Sequence, residues 1–147
     1  MELSRILVGV DGSPAASAAL RWAAAAVAGG GEVVALHATR PALIAQAAIA
    51  ATTGLGVFRD SEGPEEDARR ALDVWCEPLR AAGVPYRAVV ADDEPVHALL
   101  DRARQEEVDV IVIGHDRSTG FVDRLFDHLD EDLLDRARRP VVIVPTV

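Results

Sequence analysis

The chain has 147 residues, a formal net charge of −9 and a single cysteine, Cys76. That charge disfavours nucleic acid or an anionic membrane surface as the main partner. One cysteine excludes an internal disulfide, and no stretch approaches the ~20 apolar residues of a membrane span.

Half of the residues are hydrophobic but only 4% are aromatic, so a core of Ala, Val, Leu and Ile is expected, in a single domain over residues 1–147. Arg5 to Asp11 (RILVGVD) is a short β-branched run ending in a turn signal, which reads as a buried strand. A helix follows: Ser13 suits the N-cap, Pro14 suits the first helical position, the alanines favour helix, and Gly29 to Gly31 stop it. Glu32 to Thr39 reads as the second strand.

Residues 40–63 are small and apolar without clean periodicity, either a short helix over a pocket or a loop, and are expected to be the most mobile part of the chain. Residues 63–83 (GPEEDARRALDVWCEPLRAAG) read as one helix, acidic at its start and basic towards its end. Cys76 lies within it and reads as a small buried hydrophobe. Residues 84–91 form the third strand, 94–107 the third helix, 108–114 the fourth strand, roughly 123–138 a further helix, and 140–147 (PVVIVPTV) the fifth strand. Strands alternating with helices predict an α/β fold, a five-stranded parallel sheet with helices on both faces. The N-terminus MELSRILVGVDG carries no targeting pattern, so a soluble, cytoplasmic protein is expected.

In open α/β sheets, ligands bind beyond the carboxyl ends of strands where the strand order reverses. The candidate loops are Val10 to Pro14 and Gly114 to Gly120 (GHDRSTG). All fifteen basic residues are arginine, which excludes a Walker-type P-loop and its lysine. The G-x-G-x-x-G dinucleotide fingerprint is absent as well, and a phosphorylation receiver domain would need a lysine after its last strand. His115, Asp116, Asp127 and His128 match no standard zinc spacing, so no metal ligands are assigned. His37 and His97 are placed at a strand end and on a helix surface. Asp11 has two readings, a ligand contact or a cap on the turn into the first helix.

Three stretches together resemble the universal stress protein family: ILVGVDGSPAASAALRWA at the start, DVIVIGHDRSTGF in the fourth strand and its loop, and RRPVVIVPTV at the end. The resemblance spans essentially the whole chain. It implies strand order 3-2-1-4-5, a Rossmann-like, adenine-nucleotide alpha-hydrolase-like fold with its nucleotide cleft between strands 1 and 4. Its ATP-binding members carry Gly-x2-Gly-x9-Gly-Ser/Thr after strand 4, an Asp at the end of strand 1, and backbone contacts near the end of strand 2. Val10 and Asp11 fall at the first of these strand ends, and Ala38 and Thr39 at the second. Gly114 matches the first glycine, whereas Arg117 stands at the second and Asp127–His128 replace the Gly-Ser pair. Ser118 and Gly120 complete the candidate pocket.

Glycines at these places let backbone approach phosphates, whereas Asp127 sets a carboxylate there. The implied function is a non-catalytic regulatory domain of the stress response, acting through a pocket ligand or a protein partner, with tight ATP binding lost. The alternative is a retained ATP or other adenine-nucleotide site with a divergent loop. The family also implies a homodimer through strand 5, for which Val142, Val144 and Val147 are the interface candidates.

Overall fold

A computed structural model describes residues 1–40, 64–116 and 133–146. Its strands are β1 (Leu3–Gly9), β2 (Val27–Ala38), β3 (Tyr86–Ala91), β4 (Val110–His115) and β5 (Val141–Pro145). Its helices are α1 (Pro14–Ala26), α2 (Pro64–Trp75), α3 (Glu77–Ala81) and α4 (Pro95–Glu106), and residues 133–136 are also helical. The strands form one sheet in the expected order β3-β2-β1-β4-β5, and every adjacent pair is parallel. Residues 41–63, with their expected mobility, and 123–132 of the helix expected before β5 lie outside the described residues.

Each face of the sheet carries its own core. On one face Ile6, Val8, Val33, Ala35, Val110 and Val112 pack against Ala16, Ala19, Leu20 and Ala23 of α1, with Leu72 and Leu79 of α2 and α3. On the other, Leu7, Val34, Leu36, Ile111 and Ile113 meet Val96, Leu99 and Ala103 of α4, together with Leu133. The spacing of Val96, Leu99 and Ala103 is one stripe of an amphipathic helix. The strands are apolar on both sides because both sides are covered.

The start of α1 follows from its sequence. Ser13 is its N-cap, the Ser13 hydroxyl accepts the Ala16 N–H at 3.1 Å, and Pro14 opens the first turn. Its end differs from expectation. The helix stops at Ala26, Val27 is already extended, and Gly29 to Gly31 lie inside β2. The pairing of β1 with β2 slips there, from Leu3↔Val27 to Arg5↔Glu32. Gly30 has φ +84°, and a Cβ on Gly31 would sit 2.6 Å from the Ser4 carbonyl oxygen. The glycines therefore serve an irregular strand start rather than a helix stop.

The helix expected over 63–83 is two helices. Pro78 has no N–H to offer the Val74 carbonyl, so the ladder breaks at Cys76. Arg80 braces the break by donating to the Asp73 carbonyl and, at 2.8 Å, to the Tyr86 hydroxyl. At the amino end of the sheet, Arg87 bridges Glu32 at 3.1 Å and Glu106 at 2.6 Å, while Arg5 meets Glu32 at 2.9 Å. The Arg87 guanidinium holds both carboxyls below the usual range. What these pairs add to stability is present above the ordinary carboxylate range and is lost as pH falls through the lowered values.

β5 lies at one edge of the sheet. The Ile111 N–H donates to the Pro140 carbonyl at 3.0 Å, and the Thr146 N–H to the His115 carbonyl at 2.9 Å. In a parallel ladder this turns the backbone groups of Val142 and Val144 towards β4, and those of Val141 and Ile143 outward. The side chains of Val142 and Val144 are half-buried against the α1-side core, and Ile143 is 36% exposed. Val147 lies outside the described residues. Among the described residues no helix is long and apolar enough to cross a membrane.

Cys76 is fully buried in the α1-side core. Burial, reinforced by the nearby Asp73, pushes its thiol up to about 11, so the reactive thiolate is scarce at neutral pH. Alkylation by iodoacetamide at pH 8 should be at least about tenfold slower in the native protein than in urea. Equal rates would place Cys76 at the surface.

Candidate functional site

Beyond the carboxyl ends of β1, β2 and β4 the sheet opens into a cavity of about 290 Å³. This is the point where the chain order reverses between β1 and β4, the place α/β sheets offer to ligands. The strands supply Gly9, Val10 and Asp11; Leu36, His37 and Ala38; and Ile113, Gly114 and Asp116. The start of α1 adds Ser13, Ala15 and Ala16 from one face, and α4 adds Pro95 and Leu99 from the other. The walls are mostly aliphatic, with Asp11, Ser13, His37 and Asp116 as the polar side chains among the described residues.

Of the residues expected at the site, Val10, Asp11, Ala38 and Gly114 do line this cavity. Thr39 does not: its N–H and hydroxyl both donate to the Ala91 carbonyl, at 2.9 and 3.3 Å, tying the end of β2 to β3. Arg117, Ser118, Gly120, Asp127 and His128 lie outside the described residues. Sequence reading missed the part played by His37, Asp116 and Leu99. His37 sits one place before the expected strand-end pair, and Asp116 stands inside GHDRSTG. For Leu99 no local signal exists, because only the crossover of α4 brings it over the sheet.

Both readings of Asp11 find a counterpart in the geometry. Asp11 Oδ1 accepts the Ser13 N–H at 2.9 Å, which makes it a turn cap, and the same residue lines the cavity. Behind it the Val10 N–H donates to the Leu36 carbonyl at 2.8 Å. The Val10 carbonyl lies 2.8 Å from His37 Nδ1. A carbonyl can only accept, so the His37 proton sits on Nδ1, and Nε2 is an acceptor in the neutral ring. The His37 ring meets Trp75 in a T-shaped contact at 5.1 Å. Trp75 also covers Gly12, where φ is +82° and a Cβ would fall 2.6 Å from the indole. His37 is at a strand end and His97 is exposed on α4, both as expected. The Asp93 carboxylate beside His97 holds the imidazole above its ordinary pKa.

Gly114 has a role the sequence did not reveal. A Cβ there would lie 2.1 Å from the Ala15 carbonyl oxygen and 2.3 Å from its carbon. The first turn of α1 rests directly on β4 backbone, so glycine is required at 114 whatever the cavity holds. Beyond it, Asp116 Oδ1 accepts the Thr146 hydroxyl at 3.2 Å, joining the loop after β4 to the end of β5.

A family model described as the Universal stress protein family matches residues 2–145. No curated protein matches the sequence. Several solved structures are similar in fold. A universal stress protein in complex with cAMP has 20% identity and TM-score 0.65, with all of both chains covered. The universal stress protein from Archaeoglobus fulgidus in complex with dAMP has 22% identity and TM-score 0.64, covering 98% of this chain and 99% of that one. A universal stress protein family protein from Arabidopsis thaliana with AMP bound has 13% identity and TM-score 0.62, covering 98% and 92%.

Replacing Gly114 with alanine should cost about 2–3 kcal/mol, because the added methyl overlaps backbone that cannot rotate away. Urea unfolding measures it. A loss below ~0.5 kcal/mol would mean that α1 does not rest on β4.

Proposed function

Because the chain belongs to the universal stress protein family, we propose that it is a non-catalytic regulatory domain of the stress response whose β1–β4 cavity takes an adenine nucleotide or nucleoside. The observation that carries this reading is the cavity itself. Its aliphatic walls, Leu36, Leu99 and Ile113, suit the apolar faces of a purine ring, and Asp11 at its rim can accept hydrogen bonds from sugar hydroxyls. The cAMP, dAMP and AMP complexes of similar fold support the choice of ligand class. The protein acts in the cytoplasm by changing the shape it offers a partner when the cavity fills.

Tight ATP binding is lost in this reading. Asp127 occupies the motif position where phosphate would sit, with Arg117 in place of a glycine. Two like unit charges about 4 Å apart oppose each other by roughly 4 kcal/mol at an effective dielectric near 20, on the order of a thousandfold in affinity. Arg117 can offset part of that by reaching a phosphate. Calorimetric titration is expected to give a dissociation constant above ~100 μM for magnesium-ATP, with adenosine or AMP binding more tightly. Low-micromolar ATP binding would restore the intact-site alternative, and heat from no adenine ligand would overturn the ligand class.

The same reading includes a homodimer through β5. Among the described residues no strand pairs with its outer side, which presents the backbone groups of Val141 and Ile143, and a two-fold partner strand can pair with them antiparallel. Such a partner would also cover what remains exposed of Val142 and Val144, and Val147 beyond them. Proline at 143 removes an N–H that points away from β4, so the fold should tolerate it while pairing is blocked. Sedimentation at micromolar concentration is expected to show a dimer for the wild type and a monomer for Ile143→Pro. A wild-type species of 15.6 kDa would remove the dimer.

A further inference from the structure

Gly9 is the last residue of β1, the central strand of the sheet. It pairs with Leu36 of β2, and the Val10 N–H carries the ladder one step further. Ile6, Leu7, Val8 and Val10 around it are buried, whereas Gly9 is only half-buried. Glycine weakens a strand, because it loses more freedom on folding and packs no side chain. Neither backbone nor packing demands it here. Its φ is not positive. A Cβ would make ordinary contacts, 3.5 Å from both Leu99 methyls and 3.6 Å from Ile113 Cγ2, with no nearer atom from elsewhere among the described residues. Gly114 is the opposite case, since a Cβ there overlaps backbone. The missing methyl at 9 leaves a notch between Leu99 and Ile113, and all three residues line the cavity.

A notch walled by methyl groups and floored by strand backbone suits the flat edge of an aromatic ring, and only glycine lets a ligand come so close to the backbone. Asp11 stands two residues further on, about 7 Å along an extended chain, on the wall of the same cavity. We propose that Gly9 is the specificity-determining residue of this cavity, its notch taking the far edge of a purine and so favouring purine over pyrimidine nucleosides. With the sugar hydroxyls at Asp11, a two-ring base reaches the notch and a one-ring base stops short of it. The proposal rests on the adenine reading of the cavity and assigns the preference for a two-ring base to one position.

Calorimetric titration of the wild type and of Gly9→Ala with adenosine and with cytidine tests this. Cytidine keeps the ribose and an exocyclic amino group but has one ring fewer. The wild type is expected to bind adenosine more tightly than cytidine. In Gly9→Ala the ratio of the two affinities should move towards cytidine by about tenfold, equivalent to about 1.4 kcal/mol. The same substitution should leave the urea midpoint unchanged or raise it, because the methyl meets only ordinary contacts and alanine narrows the unfolded ensemble. A ratio unchanged by the substitution, or a wild type that does not distinguish the two nucleosides, overturns the role of Gly9 and leaves the adenine site standing. A midpoint well below that of the wild type assigns the glycine to packing and overturns it as well. If the wild type binds neither nucleoside, the adenine reading falls and the specificity proposal falls with it.

Discussion

The first turn of α1 rests on the backbone of β4, and a glycine at 114 is what lets it. With a Cβ placed 2.1 Å from the Ala15 carbonyl oxygen, no other residue type fits without moving the helix. From that contact follow the depth at which Ala16, Ala19, Leu20 and Ala23 enter the core and the position of the Ser13 cap. The crevice between β1 and β4 takes its shape from it too, since Ala15 and Ala16 form one wall of the cavity. The alanines at 16, 19 and 23 belong to the same solution, because a helix this close to a sheet leaves little room for larger side chains at those positions.

The two ends of the sheet are built differently. At the amino end, Arg5, Glu32, Arg87, Glu106 and Arg102 form a half-exposed charged network across three strands and α4. There each of the two carboxylates is shared between two arginines, and the arginine forks fix strand positions more than they add stability. At the carboxyl end the described walls are aliphatic with carboxylates among the polar groups. The strand ends there diverge towards helices on opposite faces, which leaves space that the backbone alone does not fill.

Trp75 connects that cavity with the rest of the molecule. It closes α2, covers Gly12 and meets His37 edge-on, and His37 in turn holds the Val10 carbonyl. The turn after β1 is therefore gripped from both sides, by its own Asp11 cap and by a helix distant in sequence. Asp11, on the wall of the cavity, thus belongs to a turn that α2 also touches.

Local chemistry alone determined much of this fold. The apolar runs named all five strands, Ser13–Pro14 placed the start of α1, and the alternation of strands and helices gave a parallel sheet covered on both faces. Each depends on neighbours in the chain or on a simple period. The strand order itself came from family resemblance, and the sheet has that order. Local signals misled where a residue's role is set by distant partners. Gly29 to Gly31 read as a helix stop but serve the slipped start of β2 against Ser4. Pro78 split a helix whose dipole pattern looked continuous, because one missing N–H outweighs favourable charges. Tertiary structure alone decided that Thr39 turns to β3 while Ala38 lines the cavity, since a strand alternates its sides and only pairing fixes which side faces where. It alone brought Leu99 over the crevice, placed Asp11 and Asp116 on the wall of one cavity, and set the first turn of α1 against Gly114. These facts arise from contacts between residues far apart in sequence, and no local pattern encodes them.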